Sequence, residues 1–294
     1  MRQKPVYVVL RGGLGNQLFM FASAYCLAQR SQRELQVITS WFRTKQREKK
    51  YSLHTRKFEL KDLDSIQLYR KIPTKFLDSF IYGIYLISLK YRVIRRMGIV
   101  FDADQSKQQK IPLRTLVIDG YMQDPGYFNQ SREKIIQLLQ LDKATENELK
   151  ETIWDNNSNR YRNVALHVRR GDYLLSEKGK NLLSLEYFAN CLAKFDLSRS
   201  NVFVFSDDID WCKSNFTGEF FRFVEEQDPL KSLKLMAYCD DFIVSPSTFS
   251  WWGAWLSENE DKLVIYPNPY NEDSEDIWKE LPQRNWIPES AIFQ

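Results

Sequence analysis

Short apolar runs alternate with helix-length segments through the second half of the chain, and this alternation limits the folds that it can adopt. Each run has the composition of a buried strand, and each intervening segment is long enough to return the chain to the same edge of a sheet. Strands connected in this way lie parallel, with helices packed on the faces of the sheet. The sequence therefore predicts a parallel sheet of Rossmann type, with strands at residues 164–168, 202–205, 220–224, 242–244 and 263–266.

The chain begins with the same pattern, because a strand, a glycine-rich turn and a helix starting at Gln17 are predicted in succession over residues 6–30. A polar stretch at residues 143–162 later interrupts the apolar pattern, and 294 residues suffice for two domains of ordinary size. We therefore predict an α/β protein with an N-terminal domain at residues 1–150 and a C-terminal domain at residues 151–294.

Basic residues are concentrated in the first half of the chain. Residues 41–75 contain eleven Lys or Arg against four Asp or Glu, whereas residues 201–294 contain seven against eighteen. A basic segment of this kind is either a solvated face or a contact surface for anionic lipid headgroups, a polyanionic substrate or nucleic acid. A non-enzymatic nucleic-acid-binding module is a rival interpretation, but the segment lacks a known DNA-binding helix pattern. We therefore expect no nucleic acid partner.

No segment of the sequence has the length of a membrane span, since the longest apolar stretch, residues 80–89, covers ten residues against the roughly 20 that a span needs. The N-terminus lacks the features of a secretory signal. The four cysteines lie far apart without a CxxC pair, which indicates free thiols in a reducing compartment. We therefore expect a cytoplasmic protein, with residues 41–75 as a surface for peripheral contact with the inner face of the cell membrane.

Glycines dominate the turn between the first strand and the first helix. The backbone N–H groups of Gly13, Leu14 and Gly15 can approach an anionic ligand at the positive end of the helix, and Asn16 follows them directly. The turn lacks the Lys-Ser/Thr ending of a P-loop and the spacing of a dinucleotide fingerprint, which disfavours a kinase or a dehydrogenase. The alternative is a tight turn that binds nothing.

The sequence HVRRGDY at residues 167–173 follows a predicted strand of the second sheet. His167, Arg169 and Arg170 are therefore expected at the carboxyl edge of that sheet, where folds of this type bind ligands. Arginine can donate two parallel hydrogen bonds to a phosphate, so the arginine pair predicts an anion site. The alternative for Arg170 is a structural ion pair with Asp172.

Two further motifs follow strands of the same sheet. Asp207 or Asp208 can accept hydrogen bonds from a nucleotide base or a ribose, or either can cap the helix that follows. Trp251 and Trp252 either pack under the sheet or stack on a sugar ring. A second anion site is predicted from the hydroxyl and backbone N–H groups of Ser247, Thr248, Phe249 and Ser250.

Two DxD patterns, at residues 102–104 and 208–210, provide the alternative of a metal-dependent enzyme that holds Mg²⁺ or Mn²⁺ on a pyrophosphate. Such short patterns are common by chance. Two arginines already suffice to neutralise a pyrophosphate, so we expect no metal ion and no cofactor.

Five motifs together resemble the α-1,2-fucosyltransferases of glycosyltransferase family 11. They are GGLGNQLF at residues 12–19, GYMQDPGYF at 120–128, HVRRGDY at 167–173, SDD at 206–208 and STFSWWGAWL at 247–256, in the family's order. The resemblance implies a GT-B fold, in which two Rossmann-like domains enclose a cleft. It also implies transfer of L-fucose, with inversion, from GDP-β-L-fucose to the 2-hydroxyl of a galactose-terminated oligosaccharide or lipid-linked glycan, as in bacterial surface polysaccharides.

The resemblance further implies a division of roles, in which the N-terminal domain faces the acceptor and the C-terminal domain binds the donor. Arg169 matches the arginine that contacts the pyrophosphate, and Asn16 matches an asparagine that faces the same cleft. Ser247 and Thr248 match the family's hydroxyl motif. With GDP as the leaving group, Asp207 and Asp208 become candidates for contacts with guanine.

A mechanism follows from the bond that breaks. Cleaving the bond between fucose and phosphate builds negative charge on GDP, so fixed cationic groups near the phosphates lower the barrier. We therefore expect Arg169 and Asn16 to act in catalysis, with Arg170 and the glycine turn in support. A base for the acceptor hydroxyl would also help. Asp172 is the candidate, and its alternative role is to orient Arg170.

Overall fold

The structure is a computed structural model and describes residues 4–43, 56–67, 69, 75–90, 98–104, 110–154, 161–174, 182–269 and 281–293. The side chains of residues 67, 75, 89, 172 and 173 lie outside this description. Residues 44–55, 68 and 70–74 of the basic segment also lie outside it, and so does the expected membrane contact through them.

The chain forms two compact units, the first containing Met1–Glu48 and Arg56–Leu141, the second Lys49–Thr55 and Asp142–Gln294. The boundary after Leu141 precedes the one that the sequence predicted after residue 150. The difference arises from the helix Lys143–Ile153, whose polar surface resembles a linker but whose Leu149 and Ile153 are buried. Glu146 of this helix pairs with Lys234 of the second unit at 3.1 Å, so the helix belongs to that unit.

The first unit contains a parallel sheet of four strands, β1 (Val6–Val9), β2 (Leu35–Ile38), β3 (Val100–Asp102) and β4 (Val117–Asp119), in the order β2-β1-β4-β3. Among its described residues the α-helices are α1 (Leu14–Arg30), α2 (Asp64–Gln67), α3 (Lys75–Lys90) and α4 (Arg132–Leu138). Helix α1 begins three residues before the predicted start, because Gly12 adopts a φ of +76° and completes the turn early. One face of α3 packs with the sheet through Ile81, Tyr82 and Tyr85.

The second unit contains a parallel sheet of six strands, β5 (Arg162–Val168), β6 (Ser200–Ser206), β7 (Phe221–Phe223), β8 (Asp241–Ile243), β9 (Val264–Asn268) and β10 (Ile287–Ser290). In the described part of this unit the α-helices are α5 (Lys143–Ile153), α6 (Gly171–Leu174), α7 (Leu185–Leu192), α8 (Ile209–Asn215), α9 (Pro229–Ala237) and α10 (Thr248–Leu256). The prediction of an α/β fold with a parallel sheet is confirmed. Strand β10 was not predicted, because its residues are largely exposed and include Pro288.

The strand order of the second sheet reverses next to β5. The order is β10-β9-β8-β5-β6-β7, so the chain builds β6 and β7 on one side of β5 and the remaining strands on the other. At such a reversal the loops that follow the two central strands diverge, and ligands of open α/β sheets bind in the crevice between them. The HVRRGDY motif begins with the last two residues of β5 and the STFSWWGAWL motif follows β8, so two predicted site motifs flank this point.

Burial of apolar side chains stabilises each sheet. Residues of β5 and β6 pack with α7 in one cluster that includes Leu166, Tyr187, Phe188 and Val204. All four cysteines are buried free thiols, as the sequence predicted. None of the described helices combines the length and the apolar character that crossing a membrane requires.

Helices α9 and α10 approach each other closely at Gly253. A Cβ atom at this position would lie 2.7 Å from the Cγ atom of Met236, and closer still to its Sδ atom. Met236 is only 1% exposed, so its side chain has little room to move aside.

We expect Gly253→Ala to lower the free energy of unfolding by about 1–3 kcal/mol, because the added methyl group overpacks this contact. Gly83→Ala is the matched control, since no atom lies within 4 Å of a Cβ added to that helical glycine. The control should raise the free energy of unfolding by roughly 0.5–1 kcal/mol. Urea denaturation followed by circular dichroism measures both, and unchanged stability of Gly253→Ala would contradict the close approach.

Candidate active site

The ends of β5 and β6 bring Arg169 and Asp207 together. The two strands pair in register up to Val168 and Ser206, so the next residues on each strand face one another. Arg169 Nη1 lies 2.7 Å from Asp207 Oδ2, and both side chains are 22% exposed. The guanidinium is therefore held at the carboxyl edge of the sheet while part of it remains accessible.

Backbone groups complete the surroundings of Asp207. The backbone N–H of Arg170 donates to Asp207 Oδ1 over 2.9 Å. Burial favours the neutral acid, but the Arg169 guanidinium and the N–H groups of Arg170 and Gly171 outweigh it and hold the pKa of Asp207 below its usual range. A Cβ on Gly171 would lie 2.8 Å from Asp207 Oδ2, so a glycine is needed for this approach.

Arg170 is paired with Asp208 and stacked on Trp211. Its Nε atom lies 3.3 Å from Asp208 Oδ2, and its guanidinium carbon lies 3.8 Å from the centre of the Trp211 ring. The side chain is 10% exposed. The alternative pairing of Arg170 with Asp172 is not described, because the side chain of Asp172 lies outside the described residues. Its suggested role as a base therefore stays a prediction.

Both carboxylates proposed for base or ribose contacts have internal partners. Asp208 caps α8 by accepting from the backbone N–H of Trp211 over 3.4 Å, as the capping alternative predicted. Asp207 holds Arg169 and the loop after β5. Their contacts with guanine remain predictions.

His167 is buried beneath the loop that follows β8. It is 4% exposed, and its ring centre lies 5.6 Å from that of Phe249. Burial lowers the pKa of His167 to about 3, more than the neighbouring Asp207 carboxylate raises it, so the imidazole is neutral near pH 7. Its Nδ1 atom has no hydrogen-bond partner within the described part of the chain. His167 thus supports the edge of the sheet and carries no charge there.

The serines after β8 hold the turn into α10. Ser247 caps this helix by accepting from the N–H of Phe249 over 3.2 Å. Ser250 is fully buried and its hydroxyl donates to the carbonyl groups of Ser245 and Ser247. Ser245 donates to the carbonyl of His167 over 2.5 Å, which ties this turn to the end of β5. Thr248 is half-buried at the first position of α10. The anion site predicted from these residues stays a prediction.

The two tryptophans of the same motif belong to the core. Trp251 and Trp252 are fully buried, and Trp251 Nε1 donates to the carbonyl of Leu281 over 2.7 Å. The packing alternative is therefore confirmed for both.

The glycine turn of the first unit has a defined conformation. Gly13 is the extended N-cap residue of α1, and no side chain caps the helix there. The Gln17 amide donates to the carbonyl groups of Gly12 and Lys57 over 2.9 and 2.8 Å. Leu14 and Gly15 are buried in the first turn of α1, so any contact that they make with a ligand would come from the backbone.

Asn16 is oriented by a neighbour that the sequence did not single out. The Gln123 side chain donates from Nε2 to Asn16 Oδ1 over 2.8 Å. Gln123 lies within the GYMQDPGYF motif, which was recognised without a role for this residue. Arg56 was not predicted as a site residue either. Its side chain lies near the glycine turn, since a Cβ added to Gly13 would be 3.3 Å from its Nη1 atom. Trp211, one helical turn after Asp208, could have been found from the aromatic partner that a buried arginine favours.

One carboxylate in each DxD pattern has structural partners. Asp104 accepts from the backbone N–H groups of Tyr121 and Met122 over 2.8 and 2.6 Å. Asp208 pairs with Arg170 and caps α8. Within the described ranges, no three His, Cys, Asp or Glu side chains are grouped as a metal site requires.

Comparison with known proteins identifies relatives over nearly the whole chain. The profile of the family described as glycosyl transferase family 11 matches residues 5–290. An alpha-1,2-colitosyltransferase of Escherichia coli is 28% identical over 285 residues, which cover 90% of this chain and 92% of the relative. A galactoside alpha-(1,2)-fucosyltransferase 1 of Saimiri sciureus is 28% identical over 136 residues, which cover 43% of this chain and 37% of the relative.

The structure is similar to that of the E. coli ADP-heptose lps heptosyltransferase II. The TM-score is 0.50 at 10% sequence identity, with 97% of this chain and 90% of that chain covered. This likeness concerns the fold alone. It agrees with two Rossmann-like units, and the GT-B prediction is confirmed.

We expect the buried neutral state of His167 to make stability pH-dependent. The imidazole of an unfolded chain titrates near about 6.5, whereas the folded pKa is about 3. Between these values the unfolded state binds the extra proton, so the free energy of unfolding falls as the pH decreases, by at most about 1.4 kcal/mol per pH unit.

Urea denaturation of the wild type and His167→Gln at several pH values between about 7 and 5 measures this effect. The variant should lose less stability on acidification, because its side chain does not titrate. Equal losses in the two proteins would show that His167 does not contribute in this way.

Proposed function

The chain belongs to glycosyltransferase family 11, and from this membership we propose that it transfers L-fucose, with inversion, from GDP-β-L-fucose to the 2-hydroxyl of a galactose-terminated glycan. The two relatives described above carry the same α-1,2 linkage in their names. They differ in the sugar, so a colitosyl donor is the alternative substrate to test.

One observation supports this function above the others, namely the position of Arg169. It follows the central strand β5 at the point where the strand order reverses, and 22% of its side chain is exposed. In the proposed reaction the bond between fucose and the β-phosphate breaks, and negative charge develops on GDP. A guanidinium fixed in place before the reaction stabilises that charge without reorganising.

The other residues have supporting roles in this proposal. Arg170 adds a second positive charge near the same strand end, although its contacts with Asp208 and Trp211 make it mainly structural. Asn16 and the backbone of the turn from Gly13 keep the roles toward the donor that the family resemblance implies. Asp172 is the proposed base for the acceptor hydroxyl.

We also propose that transfer needs no metal ion. Arg169 and Arg170 supply the positive charge that a divalent cation would otherwise supply to a pyrophosphate. In the DxD pattern at residues 208–210, Asp208 is already engaged by Arg170 and by α8.

Arg169→Ala should reduce kcat by about 10²–10³-fold, which corresponds to the loss of one fixed donor to developing charge. Arg169→Lys should recover only part of this loss, because an ammonium group cannot donate in the same forked geometry. Steady-state kinetics and thermal melting of both variants provide the measurement. A folded Arg169→Ala protein with nearly normal kcat would refute the proposed role.

The activity itself is tested by incubating the protein with GDP-fucose and a panel of galactose-terminated oligosaccharides. We expect a fucosylated product whose linkage, determined by NMR, is α-1,2 to galactose. GDP should also raise the melting temperature more than UDP or ADP. Transfer from a colitosyl donor alone would contradict the sugar assignment, and equal protection by UDP would contradict the nucleotide.

The same assay tests metal independence. Transfer should continue in excess EDTA at an unchanged rate. Loss of activity with EDTA and recovery with Mn²⁺ would favour the DxD pattern at residues 208–210 as a metal site.

A further inference from the structure

Helix α3 carries exposed apolar side chains along the side that faces away from the first sheet. Phe76, Phe80 and Ile87 are 78%, 55% and 49% exposed. Their spacing places them on one side of the helix. The Phe76 and Phe80 rings are nearly parallel, with centres 6.5 Å apart. We call this set of three residues the outer stripe of α3.

The opposite side of α3 is already used. Ile81, Tyr82 and Tyr85 are buried in the cluster that includes strands of the first sheet. The helix is thus apolar on both sides, whereas a surface helix of a globular protein is usually polar on its outer side. Exposed apolar side chains grouped on one side of a helix in this way indicate a binding surface.

The outer stripe presents no negative charge. Asp78 is the one acidic residue in the sequence of α3, and it is buried on the inner side. Its carboxylate accepts from the backbone N–H of Thr39 over 3.1 Å and pairs with Arg43. The acidic charge of the helix is therefore neutralised away from the stripe.

The sequence adjoining both ends of α3 is basic. Residues 70–75 contain three Lys or Arg, residues 90–96 contain four, and neither stretch contains Asp or Glu. An apolar stripe between two basic stretches is complementary to a surface that is negatively charged at its exterior and apolar beneath it.

We propose that the outer stripe of α3 docks on the surface of an anionic lipid bilayer. The phenyl rings and Ile87 enter the boundary between headgroups and acyl chains, and the basic charge adjoining the helix is attracted to the headgroup phosphates. A second copy of the chain is the less favoured occupant, because the sequence on both sides of the helix is basic in each copy and like charges repel. This surface is independent of the proposed reaction, since none of its residues belongs to the candidate active site.

Vesicle flotation with the full chain tests the proposal. The wild type should float with vesicles of phosphatidylglycerol and phosphatidylcholine in equal parts, and much less with phosphatidylcholine alone. The double variant F76S/F80S should bind the anionic vesicles at least about tenfold more weakly, because it lacks the two rings that insert into the bilayer. Leu113→Ser is the matched control, since Leu113 is also 78% exposed in the first unit but lies outside α3.

Folding and activity are measured in parallel. F76S/F80S should keep the wild-type melting temperature and the wild-type rate on a soluble acceptor, so a loss of vesicle binding cannot be assigned to unfolding. The proposal is overturned if the wild type does not bind anionic vesicles, or if the double variant and the Leu113→Ser control bind equally well. A dimer that F76S/F80S dissociates, without any vesicle binding, would assign the stripe to a second copy instead.

Discussion

The ion pair between Arg169 and Asp207 connects the ends of two neighbouring strands, and the candidate site depends on it. Its origin lies in the sheet, because the parallel register of β5 and β6 places these residues opposite one another directly after Val168 and Ser206. Asp207 also accepts from the backbone N–H of Arg170, so one carboxylate fixes both the guanidinium and the loop that carries it. The position of the Arg169 guanidinium is thereby determined by the strand register and by the contacts of Asp207.

A second layer of contacts keeps the neighbouring arginine in place. Arg170 is held between Asp208 and the Trp211 ring, and Asp208 in turn caps α8. Two guanidinium groups near one strand end would repel each other, and the two carboxylates balance them before any ligand binds. Arg169 is the more exposed of the two arginines, at 22% against 10% of the side chain. Arg169 is therefore the more accessible of the two to an anionic ligand, while Arg170 is held by its contact with Trp211.

Much of this arrangement could be predicted from the sequence, because apolar runs locate strands and polar motifs after them locate the edge of the sheet. The pairing partners could not, since Arg170 pairs with Asp208, which lies 38 residues further along the chain and follows the neighbouring strand. That choice depends on strand order and register, which short-range patterns do not specify. The division into compact units differs from the predicted domain boundary for a related reason. The helix Lys143–Ile153 is polar in composition, and its contacts with Lys234 and Asn163 join it to the second unit.

The central proposal is that Arg169 stabilises the leaving group and that its ion pair with Asp207 holds it in position, and a double-mutant cycle tests it most directly. The quantity to measure is kcat for Arg169→Ala, Asp207→Asn and the combined variant, with melting temperatures to verify folding. If Asp207 works by positioning Arg169, its replacement has no further effect once the guanidinium is gone, and the combined variant is no slower than Arg169→Ala. Independent losses that multiply in the combined variant would contradict the account.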